Sequence, residues 1–68
     1  MRIKDLREDG DITQKEIAAY LHVSQNTYSQ YENGQRQLPI ECLIALAKFY
    51  NTSTDYILGL TEDRKPYR

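Results

Sequence analysis

Residues 25–33 carry a run of side-chain amides, and amides at this spacing suit the reading of hydrogen-bond patterns. The segment is Gln25-Asn26-Thr27-Tyr28-Ser29-Gln30-Tyr31-Glu32-Asn33. On a helix with Tyr28 and Tyr31 turned inward, the outward positions are Gln25, Asn26, Ser29, Gln30 and Asn33. All five are polar and uncharged, and four are amides. A carboxamide offers a donor beside an acceptor, the pattern that pairs with N6 and N7 of adenine in the DNA major groove. A merely solvated helix face is more often built from Lys and Glu, which favour helix formation and solubility. An amide-rich face with no ligand is the plainer alternative.

No comparable set supports catalysis. The chain has one histidine, His22, and one cysteine, Cys42, so neither a Cys/His zinc site nor an internal disulfide can be assembled. Paired carboxylates and Ser/His/Asp arrangements are missing, and 68 residues leave little volume for a pocket. The expectation is a chain that is not an enzyme and needs no cofactor or metal. His22 reads as a turn residue before a pH sensor, and Cys42 as a small helix residue before a redox switch. A lone thiol, no signal-like stretch and no apolar run of bilayer length fit a cytoplasmic protein with no membrane contact.

Charge argues the other way from the amides. Nine Lys and Arg against ten Asp and Glu give a net charge of −1, whereas nucleic-acid binders are expected to be basic. Distribution matters more than the sum, because at moderate salt a charge is felt over only about 10 Å. Between Lys15 and Arg36 the only formal charges are Glu16 and Glu32. The amide face is therefore nearly neutral, which predicts modest non-specific affinity.

The elements that must position these residues are legible from their punctuation. Thr13-Gln14-Lys15-Glu16 is a capping box opening a second helix over about 13–21, with Ile12 and Ile17 as its hydrophobic staple. Ser24 caps a third helix over about 24–33, with Val23 and Tyr28 as the staple pair. Pro39 suits the first turn of a fourth helix, and Ser53 caps a fifth. Gly10, Gly34 and Gly59, with His22 and Asn51, stand where helices should stop in a left-handed conformation. The expected inner faces are Ile3 and Leu6; Ile17, Ala18 and Leu21; Tyr28 and Tyr31; Ile40, Leu43, Ile44, Ala47 and Tyr50; and Ile57 with Leu58. This is an all-α domain of five helices over residues 1–60, followed by a polar tail over 61–68. Helices two and three are separated only by Leu21-His22-Val23, and the small Ala18 allows close approach, which makes the pair a helix-turn-helix. Free amides at the start of helix two, near Thr13 and Gln14, could clamp a phosphate.

Residues 13–34 resemble the Cro/repressor-type (XRE) helix-turn-helix family, which has the lambda-repressor-like fold. The resemblance rests on Thr13-Gln14-Lys15-Glu16-Ile17-Ala18, Val23-Ser24-Gln25-Asn26-Thr27-Tyr28-Ser29 and Tyr31-Glu32-Asn33-Gly34. It extends through Leu43-Ile44-Ala45-Leu46-Ala47 and Tyr56-Ile57-Leu58-Gly59-Leu60, covering nearly the whole chain from residue 3 to 60. It implies base contacts from Gln25, Asn26 and Gln30, and from Thr27 through its methyl on thymine, with Gln14 supporting Gln25 and touching phosphate. It further implies backbone contacts from Asn33 and Arg36; Thr13 and Ser29 complete that set. Arg7 would pair with Glu32, a structural role weighed slightly above a backbone contact of its own. The family usually has glycine where this chain has His22, a residue that tolerates the left-handed backbone better than most.

The implied function is a sequence-specific regulator of transcription, a repressor in the family's common mode, reading the major groove of double-stranded DNA. One domain offers few base contacts, so a homodimer on a near-palindromic operator is expected, with half-sites about one helical turn apart. Phe49, Tyr56, Leu60 and the tail are the candidate dimer surface. The alternative is a protein-binding module, an antitoxin or antirepressor, and a protein antagonist could act on either. Tyr20 and Tyr67 have no assigned part.

Overall fold

Side chains that satisfy otherwise unpaired amides set the start of three of the five helices. The computed structural model describes residues 1–66 and contains, in order, α1 (Ile3–Asp9), α2 (Gln14–Leu21), α3 (Gln25–Glu32), α4 (Ile40–Phe49) and α5 (Thr54–Leu58), with no strand among the described residues. The Thr13 hydroxyl accepts from the Glu16 amide at 3.1 Å, and Glu16 Oε1 accepts from the Thr13 amide at 3.1 Å, closing the capping box of α2. Ser24 and Ser53 cap α3 and α5 in the same way, each accepting at 3.0 Å, from Thr27 and Tyr56 respectively. Pro39 lies at the N-cap of α4, just outside the first turn, with φ −61° and ψ 150°.

The helix ends correct one expectation. Gly34, Gly59, His22 and Asn51 all have positive φ, but Gly10 has φ −88° and the left-handed residue after α1 is Asp11, at φ 54°. Asp tolerates that region because its short polar side chain can hydrogen-bond locally. A Cβ at Gly10 would sit 3.2 Å from Ile12 Cδ1, so the tip of the Ile12 side chain would have to give by a few tenths of an ångström.

Every helix sends one residue to the centre. Ile3, Ile17, Tyr28, Leu46 and Ile57 come from α1 to α5 in turn, and each is less than 2 % exposed. Leu6, Ala18, Leu21, Tyr31 and Ala47 complete the buried core, with Ile12, Val23, Leu43 and Tyr50 packed around it.

The inner face of α4 differs from the expected stripe. Ala47 is buried and Leu43 and Tyr50 half-buried, as expected, but Ile40 and Ile44 are 66 % and 44 % exposed, and Leu46, with the half-buried Cys42, turns inward in their place. Only Glu41 and Lys48 among the ten residues of α4 are polar, so apolar spacing alone could not fix which side turns inward; packing on α5 and the core did. Leu58, also expected inside, is 42 % exposed.

Part of the segment read as a polar tail is tied to the domain. The Thr52 hydroxyl donates to the Arg64 carbonyl at 2.6 Å. Arg2 donates through Nη1 to the carbonyls of Tyr56 and Thr61 at 2.8 and 2.7 Å, and its guanidinium lies 4.3 Å from the centre of the Tyr56 ring. These bonds join the start of the chain to α5 and to the segment beyond that helix. Tyr67 lies outside the described residues.

Candidate nucleic-acid interface

The turn between α2 and α3 is held by three backbone bonds. His22 adopts φ 60° and ψ 38°, its amide reaching the carbonyls of Ala18 and Ala19, and the Val23 amide donates to the Ala18 carbonyl at 3.0 Å. Ala18 is 2 % exposed, a small side chain buried beside the turn. With Tyr28 and Tyr31 buried, α3 presents Gln25, Asn26 and Asn33 to solvent, and Thr27, Ser29 and Gln30 at its half-buried margins.

Beneath this surface lies a charged network. The Glu32 carboxylate, whose side chain is 1 % exposed, accepts from Arg7 Nε at 2.6 Å and Arg7 Nη2 at 3.1 Å. Gln14 Nε2 donates to Glu32 Oε1 at 3.1 Å, and Arg7 Nη1 donates to the Ile12 carbonyl at 3.0 Å. One carboxylate thus joins α1, the first residue of α2 and the end of α3. Burial pushes the Glu32 pKa up, but the bonds from Arg7, with Tyr28 and Gln14 contributing, outweigh it and hold the carboxyl below its ordinary value. The hydrogen bond to Glu32 raises the Arg7 pKa in spite of burial. The Tyr28 hydroxyl is buried beside the carboxylate without a hydrogen bond of good geometry, and burial first, then Glu32, raises its pKa strongly.

The partners of the remaining site residues differ from one another. Thr13 is occupied: its amide and its hydroxyl both donate to Glu16 Oε1, so its amide is not the free phosphate donor expected. Thr27 accepts from the Ser24 hydroxyl at 2.9 Å within the α3 cap. Gln30 Oε1 accepts from Arg36 Nε at 2.8 Å. The Arg36 bond is possible because the chain reverses through Gly34, at φ +74°, and the amides of Gln35 and Arg36 both donate to the Gln30 carbonyl. Neither that bond nor the one from Gln14 to Glu32 has a spacing that reveals it in the sequence, since each depends on the path of the chain in space. Tyr20, unassigned by sequence, braces α2 against α4: its hydroxyl donates to the Ala45 carbonyl at 3.3 Å and its ring lies 4.6 Å from that of Phe49.

A family profile described as helix-turn-helix matches residues 3–57. The chain is similar to the uncharacterised HTH-type transcriptional regulator YobD of Bacillus subtilis, 35 % identical over 96 % of this chain and 58 % of the relative. It is similar to the HTH-type transcriptional regulator ImmR of the same organism, 41 % identical over 94 % of this chain and 50 % of the relative. It also resembles the cryptic phage CTXphi transcriptional repressor RstR of Vibrio cholerae, 43 % identical over 72 % of this chain and 44 % of the relative. The chain therefore spans between 44 % and 58 % of the length of these relatives. No solved structure matches it significantly. With an all-helical fold, a capped α2–turn–α3 unit and a profile match over most of its length, the chain belongs to the helix-turn-helix family, of the Cro/repressor type its sequence resembles.

Proposed function

We propose that this chain is the DNA-binding unit of a sequence-specific transcriptional regulator, a repressor, that lays α3 in the major groove. One observation carries the proposal: Gln25, Asn26 and Gln30 lie on the outer side of a helix whose inner side is locked by Tyr28, Tyr31 and the buried Arg7–Glu32 pair. Rigid support matters because a side chain discriminates between bases only if it cannot drift to suit the wrong one. Similarity to ImmR and RstR, named as a transcriptional regulator and a transcriptional repressor, supports the same reading.

In this reading Gln25, Asn26, Thr27 and Gln30 meet base edges, while Gln14, Ser29, Asn33 and Arg36 meet the sugar-phosphate backbone. Thr13 serves as the cap of α2 and is left out of the contact set. Gln14 uses one amide hydrogen on Glu32 and keeps the other for a phosphate or for Gln25. Binding is as a homodimer, two copies of α3 entering successive major-groove turns of a near-palindromic site. The exposed Phe49 and Leu60 supply apolar dimer surface, whereas Tyr56, half-buried under Arg2, contributes less.

Selection from a random duplex library tests this reading. The expected result is an enriched motif with two-fold related halves; no enriched motif at modest salt would count against it. Sedimentation equilibrium tests the dimer separately, a strict monomer at micromolar concentration being the contrary result.

A further inference from the structure

We infer that, given the DNA contact proposed above for Gln14, Glu32 is a positioning residue: its buried carboxylate holds the Gln14 side chain in place before DNA arrives. Gln14 Nε2 donates to Glu32 Oε1 at 3.1 Å. The Glu32 side chain is 1 % exposed, and Gln14 is half-buried at the first position of α2. The carboxylate is itself immobilised, because Arg7 Nε and Nη2 donate to its two oxygens at 2.6 and 3.1 Å. Arg7 in turn donates to the carbonyl of Ile12, on the chain leading into α2, at 3.0 Å. The backbone at Gln14 is fixed as well, since it directly follows the Thr13 cap, whose hydroxyl accepts from the Glu16 amide. Both ends of the Gln14 side chain are therefore anchored.

The chemistry of the pair fixes which atom faces inward. Burial alone would raise the Glu32 pKa, but the bonds from Arg7, Tyr28 and Gln14 hold it below its ordinary value, so the group is ionised at neutral pH. An ionised carboxylate only accepts hydrogen bonds, so the Gln14 amide nitrogen, and not its oxygen, must face it. The bond is of the stronger, charge-assisted kind. A free glutamine on a helix surface loses rotamer freedom when it meets a ligand, and that loss weakens binding. At Gln14 the freedom is already lost on folding, so its contact with DNA is made without that cost. Gln25, exposed on α3, serves as the unanchored comparison. One carboxylate then acts twice, closing the ion pair with Arg7 and presetting a side chain that meets DNA.

The first test uses the wild-type chain alone and follows nuclear magnetic resonance relaxation of its side-chain amides. The Gln14 amide is expected to be as rigid as the backbone of α2 and unchanged by DNA, while that of Gln25 is mobile until DNA binds. A Gln14 amide as mobile as that of Gln25 in the free chain overturns the inference, whether or not any variant folds. The second test is affinity for a duplex selected from a random library. Wild type, Gln14→Ala, the double variant Arg7→Met/Glu32→Leu and the triple variant are compared, each checked to be folded by circular dichroism. The double variant leaves neither charge of the pair buried alone but lacks the anchor. Gln14→Ala should weaken binding by about fivefold more in wild type than in the double variant, within the ordering cost of one flexible side chain. Any DNA contact of Arg7 itself cancels, because it is kept in one pair of chains and lost in the other. Equal losses in the two backgrounds make the bond to Glu32 purely structural and overturn the inference, leaving the Gln14 contact with DNA standing. No loss from Gln14→Ala in wild type removes that contact and the inference together, while sensitivity to Gln25→Ala would leave base reading intact. Absence of any selected duplex overturns the DNA-binding proposal, and this inference with it.

Discussion

The Arg7 guanidinium meets the Glu32 carboxylate through two hydrogen bonds, of 2.6 and 3.1 Å, where the carboxylate is almost wholly removed from solvent. Breaking such a pair from one side leaves a buried charge uncompensated, at a cost of about 3–5 kcal/mol. A domain of this size holds about 3–10 kcal/mol in all. Arg7→Met should therefore bring the chain close to unfolding in urea denaturation. Arg7→Met combined with Glu32→Leu should recover most of the loss, because neither charge then remains buried alone.

Acid should act through the same carboxylate. Glu32 titrates below its ordinary value of 4.5 in the folded chain. Its contribution is full above that ordinary value, where the carboxyl is ionised in both folded and unfolded chains. It is lost as pH falls from there through the lower folded pKa, since the unfolded chain takes up the proton first. Denaturation midpoints measured down the acid range should fall more steeply for wild type than for Glu32→Gln, which has nothing to titrate at this site.

Alkali should act through Tyr50. Burial, offset by Arg7 and reinforced by Glu32, pushes its pKa up from 10.0 to about 12. The folded chain keeps the hydroxyl neutral while the unfolded chain ionises it, so stability is intact below pH 10.0 and declines as pH rises toward 12. Tyr50→Phe should reduce the loss of stability across this window. Denaturant titrations at successive pH values provide the measurement.

The stops and starts of the helices could be read locally because each depends on neighbours in the chain. Thr13 with Glu16, Ser24 and Ser53 need only the amides three positions on. The register of α4 could not be read that way. With eight apolar residues in ten, its sequence is compatible with several inner faces, and contacts from distant elements chose the one with Leu46 and Ala47. The amide face of α3 was legible because two tyrosines fix its inner side. The bonds that orient those amides, from Arg36 to Gln30 and within the Glu32 network, were only partly legible. The pairing of Arg7 with Glu32 came from family resemblance, whereas the part of Gln14 arose only when three helices were brought together.

His22 gives a prediction with the opposite sign. It holds a left-handed backbone, φ 60°, which costs an ordinary L-residue roughly 1–2 kcal/mol and glycine little. Glycine loses more entropy on folding, offsetting part of that gain. His22→Gly should stabilise the chain by about 0.5–1 kcal/mol, seen as a higher urea midpoint, with DNA affinity unchanged because the imidazole is not in the proposed contact set.

The core provides a scale for these effects. Leu46 and Ile57 are fully buried, so Leu46→Ala or Ile57→Ala should each cost about 2–5 kcal/mol. Thermal unfolding by circular dichroism would reveal the loss as a shift in Tm.

Base reading by the side-chain amides of α3 stands or falls on the affinity of Gln25→Ala for the selected duplex and for its single-base variants. Wild type should discriminate at the base pair read by Gln25 in each half-site by about 1–3 kcal/mol, and Gln25→Ala should lose discrimination at that pair alone. A variant weakened to the same extent on every duplex, with its base preferences intact, would refute base reading by Gln25.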